Sequence, residues 1–271
     1  MPLPPHPLHT RLLNTADIEL WPASLLRARG NADARAIARA HTVLRRKRDG
    51  RYLATVQDDG VLALVPRLAR EAGIDQALDA LHLAESHAGR GPFPPPRPLP
   101  LERLQERLDA LGIDPAAYES RTGLAPLAEP DWLVFAGHDR WRRPLWLRPQ
   151  AARAWRAMRR AAAAEGVALD AISGYRSHDY QLGIFERKLA RGQALEQILT
   201  VNAAPGYSEH HGGDALDIGT TGEPPAEESF EHTAAFAWLQ AHAATSGFRM
   251  SYPRGNHHGI VHEPWHWRFT G

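Results

Sequence analysis

The 271-residue chain contains no cysteine, which excludes disulfides and thiolate metal sites and leaves its redox compartment open. It has no excess charge of either sign. Lys and Arg number 32 against 31 Asp and Glu, a formal net charge of +1, so there is no general drive towards nucleic acid. The run Arg45-Arg46-Lys47-Arg48 is local and reads as a solvated helix end rather than a nucleic-acid patch. No apolar stretch approaches the ~20 residues that span a bilayer, so no transmembrane segment is expected. The start of the chain has neither the basic residues nor the unbroken apolar core of a secretory leader, and Asp17 and Glu19 lie close behind. Read literally, that places the chain in the cytoplasm; a periplasmic chain whose leader had been removed would read the same way. There is no internal repeat.

What is present is the material of one large domain or two smaller ones, with 43% apolar and 23% charged residues. Residues 1–90 form a first section without visible chemistry. Within it, Ala32 to Leu44 reads as a helix, and Tyr52 to Val65 as a hairpin turning at Asp59-Gly60. Leu68 to Leu83 reads as a helix interrupted near Gly73. Residues 91–100 hold a proline-rich stretch that reads as a stiff linker. Residues 101–130 form a helical connector, with Leu101, Leu104, Leu108 and Leu111 at helical spacing and Gly112 and Pro115 closing it. Residues 131–271 form the domain that carries the chemistry. Two strands (Trp132 to Phe135, Pro144 to Leu147), helices over Ala151 to Glu165, Asp179 to Arg191 and Phe236 to Thr245, and a strand at Leu169 to Ile172 come in mixed order, with further strands late in the chain. That order is α+β rather than a doubly wound sheet.

Two runs in the last third hold the reactive side chains: Ser208-Glu209-His210-His211-Gly212-Gly213-Asp214-Ala215-Leu216-Asp217, and Glu263-Pro264-Trp265-His266-Trp267-Arg268. A hydrolytic zinc site needs three protein ligands, a base near the fourth position, and positive charge where an oxyanion forms. His210, Asp217 and His266 suit the ligands and Glu263 the base, although this donor set does not exclude other first-row metals. Asp214 to Gly219 alternates as a strand; with Leu216 and Ile218 facing the core, Asp217 faces a cleft. In the second run Trp265, Trp267 and Phe269 share one face and His266 and Arg268 the other. Parity does not place Glu263, because Pro264 breaks the pattern. His257, His258 and His262 read as a solvated loop rather than a second metal site. His211 reads as exposed or as a support to the ligands.

The pattern Ser-x-His-x-x-Gly-x-Ala-x-Asp followed by Glu-x-x-His-Trp, with Ser173-Gly174-Tyr175-Arg176-Ser177 and Gln181 upstream, resembles the VanY-like D-alanyl-D-alanine carboxypeptidases. These belong to the LAS group of zinc metallopeptidases, which trim peptidoglycan stem peptides in bacteria. The resemblance covers roughly the second half of the chain. It implies a small antiparallel sheet with flanking helices, preceded by a smaller α+β or mostly helical section. It implies Zn2+ on His210, Asp217 and His266, Glu263 as general base and then acid, and Arg176 as the donor that steadies the oxyanion. It further implies Ser173, Tyr175, Gln181, Ser208 and Trp265 as substrate-binding residues. One departure is visible: where members often read Arg-Tyr-Pro, this chain has Ser251-Tyr252-Pro253.

The expectation is therefore a zinc carboxypeptidase that removes a terminal D-alanine from peptidoglycan-derived peptides. The cytoplasmic reading tilts it towards tetrapeptides returned by wall turnover and L,D-cleavage, against D,D-cleavage of pentapeptides. The rivals are an endopeptidase of cross-bridges and a non-catalytic wall-peptide binding module with structural zinc.

Overall fold

The structure is a computed structural model that describes residues 8–28, 30–87 and 92–271. The opening residues read for a leader, and Gly91 at the start of the proline-rich stretch, lie outside the described residues. The chain forms two compact units: Met1–Leu99 with Pro130–Phe135, and Pro100–Glu129 with Ala136–Gly271.

The first unit is built on strands β1 (Arg11–Asn14), β2 (Ile18–Pro22), β3 (Thr42–Arg46), β4 (Tyr52–Gln57) and β5 (Gly60–Ala63), with helices α1 (Asn31–Ile37) and α2 (Ile74–His87). The strands run antiparallel in the order β5-β4-β3-β2-β1, and residues 132–134 of a later strand pair with β1. Ile74, Ala77, Leu81 and Ala84 of α2 form one stripe that joins Leu13, Ile18, Leu20, Leu44 and Leu53 in a common core. This section is thus α+β, and the mostly helical alternative does not hold. The helix expected over Ala32 to Leu44 ends at Ile37. Thr42, Val43 and Leu44 lie instead in β3, where β-branched residues suit a strand paired on both sides. The hairpin forms, with Gln57 opposite Gly60, so its two loop residues are Asp58 and Asp59.

The second unit begins with α3 (Leu104–Asp109) and α4 (Pro115–Thr122). It continues through the end of β6 (Trp132–His138), β7 (Pro144–Leu147), α5 (Pro149–Ala164), β8 (Asp170–Ser173), α6 (His178–Leu189), α7 (Leu195–Val201), β9 (Ala215–Gly219), α8 (Ala234–His242), β10 (Phe248–Met250) and β11 (His266–Phe269). Pro115 does not merely close the preceding helix: it is the first residue of α4, whose N-cap Asp114 accepts from the Ala117 N–H. A four-stranded antiparallel sheet, ordered β10-β11-β9-β8, positions the site. Leu104, Leu108, Tyr118, Phe185, Ile198 and Tyr207 pack a second core from α3, α4, α6, α7 and the loop after it. A fully buried side chain of this kind stabilises the fold by about 1.5–3 kcal/mol. No helix among the described residues is long and apolar enough to cross a membrane.

Candidate metal centre

Strand register makes the first contact of the site. β11 pairs with β9 so that His266 stands directly opposite Asp217, and Ser173 of β8 stands opposite Asp217 on the other side. Trp267, opposite Leu216, is buried on the core face. The alternation read from the sequence therefore puts His266 and Asp217 on one face of neighbouring strands. His210 arrives from a 3₁₀ turn, Glu209–Gly212, and the chain leaves that turn through Gly213 at φ +74°, a left-handed conformation that glycine adopts at no steric cost. The Nδ1 of His210 donates to the Gly174 carbonyl at 2.7 Å. Position 174 itself needs a glycine to pack against β7, because a Cβ there would lie 2.7 Å from Leu145 Cδ1 and 3.0 Å from the Trp146 carbonyl oxygen.

His210, Asp217 and His266 are all buried, and one ligand atom from each lies within 4.8 Å of the others. They are the only such group of three among the described residues. Asp217 Oδ1 is 3.2 Å from His210 Nε2 and 3.1 Å from His266 Nδ1. Bonds of about 2.0–2.2 Å to a tetrahedral zinc put ligand atoms roughly 3.3 Å apart, so the spacing fits. Protonation gives a second test. Because His210 Nδ1 donates to Gly174, Nε2 carries a lone pair. Nε2 is buried and makes no hydrogen bond of acceptable geometry, despite the nearby carboxylate. Burial, reinforced by Arg176 and opposed by Asp217, holds His210 down at about 4, so the imidazole is neutral at pH 7. A buried lone pair facing a carboxylate is the donor set that a cation completes.

His266 behaves oppositely. Burial alone would lower its pKa, but hydrogen bonds to Asp217 and Glu209 outweigh it and push it up to about 10. Its Nε2 donates to Glu209 Oε2 at 2.9 Å. Glu209 also takes the Ser251 hydroxyl, and Arg268 Nη1 at 3.0 Å. Burial would raise this carboxylate; His266, Ser251 and Arg268 together hold it at about 2. Glu209 orients the His266 ring through the nitrogen that faces away from the cluster, the usual second partner of a metal-binding histidine. Glu209 lies inside the Ser208 to Asp217 run, yet motif spacing alone does not single it out. Ser251, noted only as a departure, completes its hydrogen bonding.

Glu263 lies beside the cluster, its Oε2 3.9 Å from His266 Nδ1. Burial, opposed by His266 and supported by Asp217, raises it to about 7. Arg176 reaches the cluster at Asp217, with Nη2 3.1 Å from Asp217 Oδ2 and Nη1 3.5 Å from Gln181 Oε1; its buried Nε–H meets no protein acceptor. Asp217, flanked by His210, His266 and Arg176, stays well below the usual carboxylate range despite its burial. Gln181 is buried and its amide donates to the Ala203 carbonyl at 2.9 Å. The Tyr175 hydroxyl donates to Glu129, Ser208 precedes the His210 turn, and the half-buried Trp265 accepts from the Ile218 N–H. His258 Nδ1 lies 2.8 Å from the Thr122 carbonyl and His262 Nε2 lies 3.1 Å from Glu231, both apart from the cluster.

A family model described as VanY, D-alanyl-D-alanine carboxypeptidase, matches residues 144–271. The YodJ protein of Bacillus subtilis (strain 168), named a carboxypeptidase, is 39% identical over 133 residues, 46% of this chain and 47% of that protein. The bifunctional D-Ala-D-Ala dipeptidase and D-Ala-D-Ala carboxypeptidase VanXYC of Enterococcus gallinarum is 30% identical over 151 residues, 53% of this chain and 76% of that protein. The chain belongs to the VanY family. The VanY match contains all three clustered residues, Arg176 and Glu263. A solved structure of the LdcB LD-carboxypeptidase shares 36% identity over 46% of this chain and 60% of that one, with a TM-score of 0.44. This VanY-family chain spans about half the length of the Bacillus relative.

Proposed function

We propose that the second unit is a zinc carboxypeptidase that releases a terminal D-alanine from peptidoglycan stem peptides. The observation that carries the proposal is the buried cluster of His210, Asp217 and His266, with Glu263 beside His266 and Arg176, its Nε–H unengaged, beside Asp217. The names of the family and of the Enterococcus relative supply the substrate class.

His210 Nε2, Asp217 and His266 Nδ1 would hold zinc, which when bound supplies Lewis acidity to the scissile carbonyl and to water. The chain's own residues do the rest. Glu263, whose acidity burial weakens and bound zinc would restore, is placed beside the cluster to take a proton from the attacking water and return it to the leaving amine. Arg176 places a permanent positive charge and an unengaged donor where negative charge develops on the carbonyl oxygen. Glu209 and the Gly174 carbonyl fix the rings of His266 and His210, so the ligands need little rearrangement. Ser208 and Trp265, beside the cluster in sequence, are the residues we assign to the D-residue. Gln181 and Tyr175 also hold the loops that present Arg176.

Mass spectrometry of tripeptide, tetrapeptide, pentapeptide and crosslinked muropeptides, each with and without a chelator, tests the proposal. Chelator-sensitive loss of one alanine supports it, and the peptide that shortens separates D,D- from L,D-cleavage. Cutting of crosslinked material alone would identify an endopeptidase. No mass change with zinc bound would sink the carboxypeptidase and leave a binding module.

A further inference from the structure

His211 follows a cluster ligand in sequence yet takes no part in the cluster. Its imidazole is fully buried. Nδ1 lies 2.7 Å from the Arg176 carbonyl, and the Gly206 N–H reaches Nε2 at 3.0 Å. A carbonyl only accepts and a backbone N–H only donates, so a single neutral tautomer, protonated on Nδ1, satisfies both. The ring therefore ties the main chain of Arg176 to the loop that leads into Ser208. On its other side the Arg176 N–H bonds the His210 carbonyl at 3.2 Å.

The neighbours of Arg176 are tied as well. Glu129, buried, accepts the Tyr175 hydroxyl on Oε2 and the His178 N–H on Oε1 at 2.8 Å. His178 Nε2 donates to the Leu127 carbonyl at 2.8 Å, and the Leu127 N–H donates to the Gly206 carbonyl at 2.7 Å. The His178 and His211 rings meet edge to face with centroids 4.4 Å apart. Residues 127–129, 175–178 and 206–211 thus close into one ring of buried and part-buried bonds, from which the Arg176 side chain projects to Asp217. A strand-to-helix loop is ordinarily where a chain yields. Here the root of a long, four-torsion side chain is fixed from every side, as a donor aimed at a reacting oxygen requires.

We propose that His211 is the positioning residue for Arg176, acting through the Arg176 carbonyl; this rests on the reading of Arg176 as the donor to the substrate carbonyl. The two bonds can be separated. Glutamine carries its amide oxygen near the place of Nε2, so His211→Gln keeps the Gly206 bond and loses the Arg176 bond. Asparagine carries its amide nitrogen near the place of Nδ1, so His211→Asn keeps the Arg176 bond.

The zinc-loaded full chain is assayed on stem tetrapeptide and pentapeptide. His211→Gln is expected to lower kcat at least about tenfold with KM within about threefold, and His211→Asn to recover most of that loss. Zinc content stays constant, and amide exchange across residues 174–178 quickens in His211→Gln alone. Added to Arg176→Ala, His211→Gln lowers kcat no further. Equal losses in the two His211 variants, an undiminished further loss in the Arg176→Ala background, or unchanged exchange would each overturn the proposal. If Arg176→Ala itself leaves turnover intact, the oxyanion reading fails, and the exchange measurement still judges the clamp. Should His211→Gln not fold, Tyr175→Phe, which opens the same ring at Glu129, must lower kcat without raising KM; an unaltered kcat overturns the proposal.

Discussion

Loading zinc into the metal-free chain should release protons in a number that the site's electrostatics fix. Metal ligands bind deprotonated, so whatever protons they carry must leave. At pH 6, Asp217 is ionised and His210, at about 4, is neutral; neither has a proton to give. His266, at about 10, is charged, its Nδ1 proton lying between its own ring and Asp217. That proton must go, which gives one. Glu263, at about 7, is about nine-tenths protonated at pH 6. Zinc brings two positive charges and displaces one, so Glu263 gains a single positive neighbour. Such a neighbour lowers a carboxyl by about 1–3 pKa units, which ionises between half and nearly all of it.

The expected release at pH 6 is therefore between one and two protons for the wild type and one for Glu263→Gln. The sign with pH follows. The Glu263 contribution fades as pH rises through 7, because less of it is protonated beforehand, and the His266 contribution fades only near pH 10. Titration calorimetry at fixed pH in two buffers of different ionisation enthalpy reads the number directly. No release at pH 6 would mean that His266 is neutral without metal, and the clamp by Asp217 and Glu209 would be wrong. No zinc uptake would refute the metal centre itself.

The other predictions concern single side chains. Glu263→Gln should lower kcat by about 10²–10⁴-fold while retaining zinc, and should remove the fall in rate expected of the wild type as pH drops and the base is protonated; activity surviving the change would refute the general base. Arg176→Ala should cost about 3 kcal/mol of transition-state stabilisation, seen as a kcat some hundredfold lower, with Arg176→Lys an incomplete rescue. Glu209→Gln should weaken zinc binding about 10–100-fold, as competition with a chromophoric chelator would measure. Trp267→Ala removes a buried indole behind the ligand strand and should lose about 3–5 kcal/mol in chemical denaturation, with weaker zinc binding. A weakened fold with undiminished zinc affinity would separate that core from the site.

The grouping of His210, Asp217 and His266 was legible because its signals are local. Alternation over Asp214 to Gly219 and from Trp265 onward assigns a face to each residue, and Asp217 and His266 meet on neighbouring strands. The supports were less legible for two different reasons. Glu209 lies between Ser208 and His210 and reaches His266, 57 residues away; a carboxylate next to a candidate metal histidine was a signal available for finding it. Glu129 and His211 act through main-chain groups 35 to 49 residues distant, and no periodicity encodes such bonds. Helix α4 had its signals in plain view, Asp114 before Pro115 and Gly123 past the end, but a proline read only as a breaker hid the helix that it starts. In the first unit, alanine and arginine carried the helix reading past Ile37, into residues whose branched side chains favour the sheet.

Fold and chemistry share the same strand. Trp267 is buried, its indole donating to the Pro264 carbonyl at 2.9 Å and its ring near Phe236, while Phe269 meets Phe248 across β10. That apolar face sets the register of β11, because a one-residue slip would turn the indole to the cleft and His266 to the core. The polar face is then fixed without further choice: His266 stands opposite Asp217, and Arg268, on the same side, reaches the Glu209 that holds His266. The dispersion and apolar burial on one side of a four-residue strand thus determine ligand spacing on the other. A core substitution that keeps an aromatic ring and the strand register, such as Trp267→Phe, costs stability through lost volume and the lost bond to Pro264 but should disturb zinc binding far less than that loss alone would suggest.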